Sequence, residues 1–586
     1  DVRKHQQHAP MWVIPIADVL TMVGPPPSHQ KLMEQGRLVE CKLDFLVIFV
    51  SHQWLGLRHP DSAGEQLRVL QDALRNITSG NLQVENDVMS QMTLKFRKLS
   101  PAERDRLAHA YIWMDWFCVP QISQVESMHS DAGLVSTAQD AYNCIRSIPF
   151  YVDTCEIFVA LVPKALHNNL GCECSYRTWL RRGWCRTEMW CKLLSEKSTI
   201  PIVVISGGEK AEFISPVRWV HYPVHQGDFT VEADRCSCNE IVRTALDFKL
   251  AGLRNDPKKI DLYRYYMSRY EDFCGQPTRG RTLGEFLSRY KFPNLLAAIR
   301  QKKGMGAVAC AVGSGDTEMI TNMVQAGAPI DTRFPDMPEV DLWAGFTPLF
   351  LAAMRSFICE DTLLHLLREK ADPNATCAIG TVALGTCYTA SAVSLMVAQR
   401  ADVNICLPPS KCSPLSTLTG RGAQPKAVAT LIALRGDVNN RGCTPLTTLA
   451  FMYQGHMHAL ETAQVLLDAK ADVNLAPTNS ALFNVLEGLA RAYTTVAKEP
   501  PFLVKFFSNA SSTPLGYASL CGNVEYVDFL LQARADTQKR NKRGQTPIDL
   551  AKSENVSRSF DLLGHHPVHQ LFDVNSLTAE LLEERF

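Results

Sequence analysis

No apolar run in this chain reaches the roughly 20 residues that a membrane-spanning helix needs. The longest runs, Phe45 to Val50, Ile157 to Pro163 and Ile200 to Ile205, have strand length, so no membrane span is expected. An excess of charge of either sign is missing too: 60 Lys and Arg face 60 Asp and Glu over 586 residues. A dedicated nucleic-acid binder carries a basic surplus, and nucleic acid is not among the expected partners. Gly-rich phosphate loops of the two common spacings are lacking. Cysteine is plentiful at nineteen, but without the dense spacing of a secreted disulfide scaffold. Cys172-Glu173-Cys174 and Cys236-Ser237-Cys238 are each split by one residue, where structural zinc sites use about two to four. Neither a metal nor a required cofactor is expected. Reduced thiols in the cytoplasm are the simplest reading; because the first residue is Asp1, the alternative is an organelle reached after loss of a targeting segment.

Hydrophobic residues at 46% and charged residues at 20% are those of a folded chain, and the length suits several domains. What the sequence has in quantity is repetition. Thr-Pro-Leu or a near variant stands at Thr347-Pro348-Leu349, Ser413-Pro414-Leu415, Thr444-Pro445-Leu446, Thr513-Pro514-Leu515 and Thr546-Pro547-Ile548. The proline intervals are 66, 31, 69 and 33, so one unit is about 33 residues. Two degenerate copies are therefore expected, one around Thr381 to Asn404 and one opening near Ala481-Leu482. A second mark closes the units, as in Ala371-Asp372-Pro373-Asn374, Ala401-Asp402-Val403-Asn404, Gly436-Asp437-Val438-Asn439 and Ala471-Asp472-Val473-Asn474. Ser or Thr caps a helix with Pro in its first turn; a second helix follows, and the chain turns at Asp and Asn. These marks resemble the ankyrin repeat, although the family's His after Thr-Pro-Leu is replaced by Phe350, Ser416, Thr447, Gly516 and Asp549. The resemblance implies about seven divergent units that hold a partner protein through a concave face and hairpin loops.

From about Asp44 to Gly207 the pattern changes to aliphatic strands alternating with helical stretches, the signature of a parallel sheet covered on both faces. The expected strands are Leu46 to Val50, Tyr111 to Met114, Glu156 to Val162 and Pro201 to Ile205, with the best helix at Tyr176 to Leu194. Ligands collect at the carboxyl ends of such strands. There stand Ser51, His52, Trp54, Asp115 and Trp116, the candidate substrate-binding residues. Ser51, His52, His59, Asp61 and Asp115 could form a hydrolytic or metal constellation; a hydrogen-bond network tying the long loop over the sheet end is the favoured reading.

Val47-Ile48-Phe49-Val50-Ser51-His52, Ile112-Trp113-Met114-Asp115, Ile157 to Pro163 and Trp184-Cys185-Arg186-Thr187-Glu188 resemble the TIR (Toll/interleukin-1 receptor-like) superfamily and the TIR-like part of heterokaryon-incompatibility proteins. The resemblance implies a flavodoxin-like sheet and, in the NAD-cleaving members, a catalytic Glu, which falls on Glu188 here, with Trp184 in support. Trp184, Glu188 and Cys191 recur at i, i+4 and i+7, which places them on one helical stripe. A carboxylate there could steady the oxocarbenium-like ribose left when nicotinamide departs. The alternative is an ion pair from Glu188 to Arg181, Arg182 or Arg186 that anchors the helix.

The expected architecture is thus an α/β N-terminal domain with a parallel, TIR/flavodoxin-like sheet plus an all-α ankyrin-repeat solenoid with a helical connector. The segments are an N-terminal extension at 1–43, the TIR-like domain at 44–210, the connector at 211–304, the repeats at 305–564 and a tail at 565–586. In the connector Tyr263, Tyr265, Tyr266 and Tyr270 alternate with both charge signs, which favours packing over nucleic-acid binding. Insertions are expected at Tyr453 to His458 and Tyr493 to Ser508. The function expected first is a protein-interaction or signalling scaffold, either self-associating through the TIR-like domain or serving as a subunit of a larger complex. The alternative is a TIR-type NAD glycohydrolase, with NAD as substrate and the repeats as regulator.

Overall fold

The structure is a computed structural model that describes residues 5–92, 97–122, 131–196, 201–452, 456–497 and 500–563. The tail, with its Leu571, Phe572, Leu577, Leu581 and Leu582, lies outside the described residues. The chain forms two compact units, Asp1–Asp402 and Val403–Phe586.

Among the described residues, ten strands lie in the first unit: β1 (Trp12–Pro15), β2 (Val39–Glu40), β3 (Val47–His52), β4 (Glu85–Asn86), β5 (Tyr111–Met114), β6 (Ile157–Leu161), β7 (Ala165–Leu166), β8 (Glu173–Cys174), β9 (Ile202–Gly207) and β10 (Lys210–Phe213). Eight make one sheet in the order β2-β1-β5-β3-β6-β9-β10-β4, and β7 pairs with β8 apart from it. The four strands expected from sequence are its centre, and they run parallel: Phe49 lies opposite Trp113 and Phe158, and Val159 opposite Val203. Every residue of β3 is buried, as a central strand covered on both faces requires. The sheet is mixed rather than wholly parallel, because β1 and β10 join its flanks antiparallel. It also draws β1 and β2 from the segment expected to be an extension. In the order β5-β3-β6-β9 the second strand precedes the first, the arrangement of doubly wound sheets, with the topological switch point between β3 and β6.

Helix Glu65–Ser79 packs on β9, and helices Ile148–Thr154 and Gly183–Leu194 pack on β3. The long helix expected at Tyr176 to Leu194 is broken into Tyr176–Arg181 and Gly183–Leu194, with Arg182 at φ −69° and ψ 128°. The break is held by Asp228, whose N–H donates to the Arg181 carbonyl at 2.7 Å and whose carbonyl accepts from Gly183 N–H at 2.9 Å. Gly183 is required there, since a Cβ would fall 2.0 Å from the Phe229 ring.

The connector is helical, with Asp234–Leu253 against Gly183–Leu194 and Ile260–Ser268 against Ala307–Ser314. Tyr263, Tyr265 and Tyr266 are buried, so they pack rather than present a basic aromatic surface. Arg269, buried on the Phe273 ring at 4.4 Å, binds Asp272 at 2.7 Å, and Arg355 from the first repeats approaches the same carboxylate at 3.7 Å.

Helix pairs closed by a turn recur through the rest of the chain, the build of an ankyrin-like repeat. In the first unit they are Ala307–Ser314 with Thr317–Gln325, Pro348–Met354 with Glu360–Arg368, and the expected degenerate copy, Ala383–Thr386 with Ala390–Ala398. In the second unit they are Pro414–Arg421 with Pro425–Ala433, Pro445–Met452 with Ala459–Asp468, Pro514–Cys521 with Val524–Gln532, and a last Ile548–Leu550 with Glu554–Leu563. The turns explain the Asp-x-Asn mark. Asp372, Asp437 and Asp472 each accept the N–H two residues on, at 2.8 to 2.9 Å. The Asn then reaches the next turn. Asn374 Oδ1 accepts from Asp402 N–H, Asn404 Oδ1 from Asp437 N–H and Asn439 Oδ1 from Asp472 N–H, at 2.7 to 2.8 Å. The residue before each turn, Lys370, Arg400, Arg435 or Lys470, takes the left-handed conformation, with φ from 65° to 72°, that closes a helix.

The copy expected to open near Ala481-Leu482 is not a repeat. Asn474 Oδ1 accepts directly from Asp536 N–H at 2.7 Å, so the turn ladder passes over this segment, and Pro514–Cys521 packs on Pro445–Met452. Residues 481–508 are an insertion of two helices, Ala481–Val496 and Phe502–Ser508. The second seats Phe506 between Phe451 and Tyr517, with ring centroids at 5.6 and 5.2 Å.

Candidate functional site

At the switch point, β3 delivers Ser51 and His52 to the strand ends and helix Gly183–Leu194 delivers Glu188 beside them. Ser51 Oγ receives the Trp179 indole N–H at 3.0 Å and donates to Glu188 Oε2. Glu188 is 8% exposed and Ser51 fully buried. His52 Nδ1 faces Gln66 Oε1 at 2.7 Å, and its Nε2 faces Asp115 Oδ1 at 2.8 Å. Gln66 is oriented by its own NH2, which donates to the Gln53 carbonyl at 2.8 Å. Asp115 Oδ2 accepts from the Trp54 indole N–H at 2.9 Å, and its Oδ1 also takes Trp116 N–H at 2.6 Å.

Both imidazole nitrogens of His52 meet acceptors, which suits the doubly protonated ring. Burial would lower its pKa, but the adjoining Asp115 carboxylate outweighs burial and raises it to about 9. Asp115 is held below the ordinary carboxylate range: burial opposes this, and the His52 charge with three donated hydrogen bonds prevails. Glu188 goes the other way. Burial first and the Asp115 charge second push its pKa up to about 8, so at neutral pH it is largely the uncharged acid. The arginines flanking it are engaged elsewhere: Arg181 with Asp228 at 3.1 Å, Arg182 with Thr230 at 2.7 Å, and Arg186 with the Leu180 and Pro223 carbonyls at 2.7 and 2.9 Å. The anchoring partner of Glu188 is Ser51, not an arginine.

Ser51, His52, Trp54, Asp115, Trp116 and Glu188 are therefore brought together, and one expected member is not. Trp184, although on the same stripe of the helix, turns its indole to Asp234 Oδ2 at 2.9 Å, and the inward thiol is that of Cys185, donating to the His52 carbonyl at 3.5 Å. Trp116 joins the site through its backbone N–H on Asp115 and its ring edge-on to Trp54, while its indole N–H donates to the Pro26 carbonyl at 2.9 Å. Gln66 and Trp179 belong to the network without having been expected; Gln66 comes from the first turn of the helix after β3, 14 residues from His52, and Trp179 from 128 residues beyond Ser51. His59 and Asp61 hold the loop: Asp61 caps helix Glu65–Ser79 through the N–H groups of Glu65 and Leu67 at 2.7 and 2.8 Å. An open cleft lies elsewhere, lined by His8, Tyr142, Arg146, Ser237, Glu240 and Thr244 among others, and shares no residue with the strand ends. Among the described residues no group of three His, Cys, Asp or Glu is arranged to hold a metal ion, and no helix is long and apolar enough to cross a membrane.

A second feature lies in the insertion. Helix Ala481–Val496 buries Glu487 and Ala490 and exposes Leu482, Val485, Leu489, Tyr493 and Val496, by 49% to 81%. These five recur at three- to four-residue steps, which is one face of a helix. The buried Glu487 is held by Asn479 at 3.0 Å and Lys542 at 3.4 Å. The helix thus packs through Phe483, on the Phe507 ring at 5.6 Å, and Ala490, while a second apolar face is turned outward.

No family model matches the chain. A curated relative, Palmitoyltransferase ZDHHC13 of Mus musculus, is 41% identical over 68 residues, covering 10% of this chain and 11% of that protein. The chain thus spans about a tenth of that relative's length. Among solved structures, the human ASB11 ankyrin repeat domain aligns at 18% identity with a TM-score of 0.31, covering 44% of this chain and 99% of that one. The ankyrin repeat domain of Bcl-3, a member of the IkappaB protein family, aligns at 19% identity with a TM-score of 0.30 and the same two coverages.

Proposed function

We propose that this protein is an interaction scaffold whose ankyrin-like repeats carry a partner protein, with the inserted helix Ala481–Val496 as the principal contact. The carrying observation is the exposed stripe Leu482, Val485, Leu489, Tyr493 and Val496. A monomeric protein gains nothing from such a row in water, and a partner that covers it recovers about 25 cal/mol for each Å² of apolar surface. The hairpin turns and the concave face add a polar rim. The test is recovery of the tagged full chain from its own cells beside a variant carrying L482E, V485E and L489E. Loss of the same bound proteins by at least tenfold, with unchanged melting, supports the reading. Retention of all of them contradicts it.

A second reading keeps the sheet domain as a TIR-like NAD glycohydrolase that self-associates. What favours it is the carboxyl of Glu188 at the switch point of a doubly wound sheet, bonded to Ser51 rather than to an arginine. What weighs against it is proton affinity: a carboxyl with a pKa near 8 is uncharged where it would have to steady a cation, and it would need a substrate-induced opening to ionise. Release of nicotinamide from NAD by concentrated protein, abolished in Glu188→Gln, decides between the two.

A further inference from the structure

Two of the marks that open neighbouring repeats in the second unit are preceded by cysteine, Cys412-Ser413-Pro414 and Cys443-Thr444-Pro445. One repeat of spacing brings them side by side. Cys412 and Cys443 form a parallel backbone bridge, and paired strands lie about 4.8 Å apart, inside the roughly 4.4–6.8 Å Cα window of a disulfide. Gly442 permits the approach, since a Cβ there would stand 2.2 Å from the Lys411 carbonyl oxygen. The two thiols are close enough to shift each other's proton affinity; Cys412 Sγ donates to the Ser410 carbonyl at 3.9 Å, and Cys443 Sγ meets Thr448 Oγ1 at 3.1 Å. The neighbouring Cys412 thiol holds Cys443 below its ordinary range, with burial opposing, while the Cys443 thiol and then burial push Cys412 up. Cys443 is therefore the readier nucleophile. Both are half-buried, whereas Cys310, Cys387 and Cys521 are buried. The neighbouring Cys406 thiol is bonded to oxygens rather than to either cysteine, the Lys411 carbonyl at 2.8 Å and Asn440 Oδ1 at 3.7 Å.

We propose that Cys412 and Cys443 are a disulfide-forming pair that ties two neighbouring repeats together when a low-molecular-weight disulfide is the oxidant. The Cys443 thiolate attacks one sulfur of the oxidant and expels the other as a thiolate, which takes a proton. Cys412, giving up its proton, then attacks the mixed disulfide at Cys443 Sγ and expels the second small thiol. Two protein thiols are oxidised by two electrons, and one small disulfide is reduced to two thiols. The link joins the turn entering helix Pro414–Arg421 to the turn entering helix Pro445–Met452. It fixes the spacing of two repeats without a new fold.

The test incubates the reduced full chain with oxidised glutathione, quenches it with acid, alkylates free thiols and maps peptides without reduction. The expected result is a linked peptide containing Cys412 and Cys443, two hydrogens lighter than the pair of free peptides, formed at least tenfold faster than any other linkage and reversed by dithiothreitol. In Cys412→Ser, Cys443 should accumulate a glutathione adduct; in Cys443→Ser, Cys412 should remain alkylatable. The linkage in the unmutated chain stands as evidence even if a variant folds poorly. Linkage through Cys406 instead, equal reactivity among the cysteines, or protection of the pair by stoichiometric zinc would each overturn the proposal.

Discussion

The strand ends of the sheet and the turns of the repeats are both stitched by polar side chains, but one is a single buried cluster and the other an exposed ladder repeated from unit to unit. At the strand ends Ser51, His52, Gln66, Asp115 and Glu188 are almost all hidden and depend on one another. In the turns Asn404, Asn439 and Asn474 each make the same short-range link in water-exposed positions. A buried network concentrates its energetic consequences in a few atoms, since each orphaned group there pays full desolvation. A repeated ladder spreads them, because each unit leans mainly on its neighbours.

His52→Ala gives the contrast its largest expected effect. It strands Gln66 at a buried site and Asp115 at a half-buried one and should cost about 2 kcal/mol, read as a fall in the denaturant midpoint of the sheet's unfolding transition. Protonation sharpens the contrast next. The pKa values of His52 and Glu188 are raised on folding, to about 9 and about 8, so the folded form holds more protons than the unfolded one. The associated stability is fully present below the unfolded values and is lost as pH rises from about 4.5 through 9. A loss on the order of 2 kcal/mol between pH 6.5 and 9 is expected for the sheet, and Glu188→Gln should flatten that slope, whereas the turn asparagines cannot titrate. Asn439→Ala, one rung of the ladder, should cost about 1 kcal/mol, measurable by calorimetry of the full chain. Smallest of all, Leu489→Glu on the exposed stripe should change stability by less than about 0.5 kcal/mol. Comparable losses from His52→Ala and Asn439→Ala would erase the distinction.

The same distinction governs what could be read in advance. The ladder was legible as a pattern because Asp-x-Asn recurs with the period of the unit, and the helix starts because Pro follows a Ser or Thr cap. The central strands β3, β5, β6 and β9 were legible as aliphatic runs. The flanking strands β2 and β4 were not: two residues each, Val39–Glu40 and Glu85–Asn86 carry no period, and their pairing is decided by neighbours distant in sequence. Gly183 was the one local sign that the long helix breaks, and its meaning depends on Phe229. Of the site, the strand-end residues were legible by position, but the bond from Ser51 to Glu188 spans 137 residues, and Gln66 and Trp179 enter it by packing alone. The segment 481–508 misled because its length approximates one unit; only the direct link of Asn474 to Asp536 reveals an insertion.

The outward apolar face of that insertion carries the functional account, and its most direct test is quantitative recovery of bound proteins by the full chain, the L482E/V485E/L489E variant and Glu188→Gln in parallel. The account predicts that Glu188→Gln retains the bound proteins and the triple variant loses them at least tenfold while melting as the unmodified chain does. Bound proteins retained by the triple variant and lost by Glu188→Gln would contradict it and move the function to the strand ends.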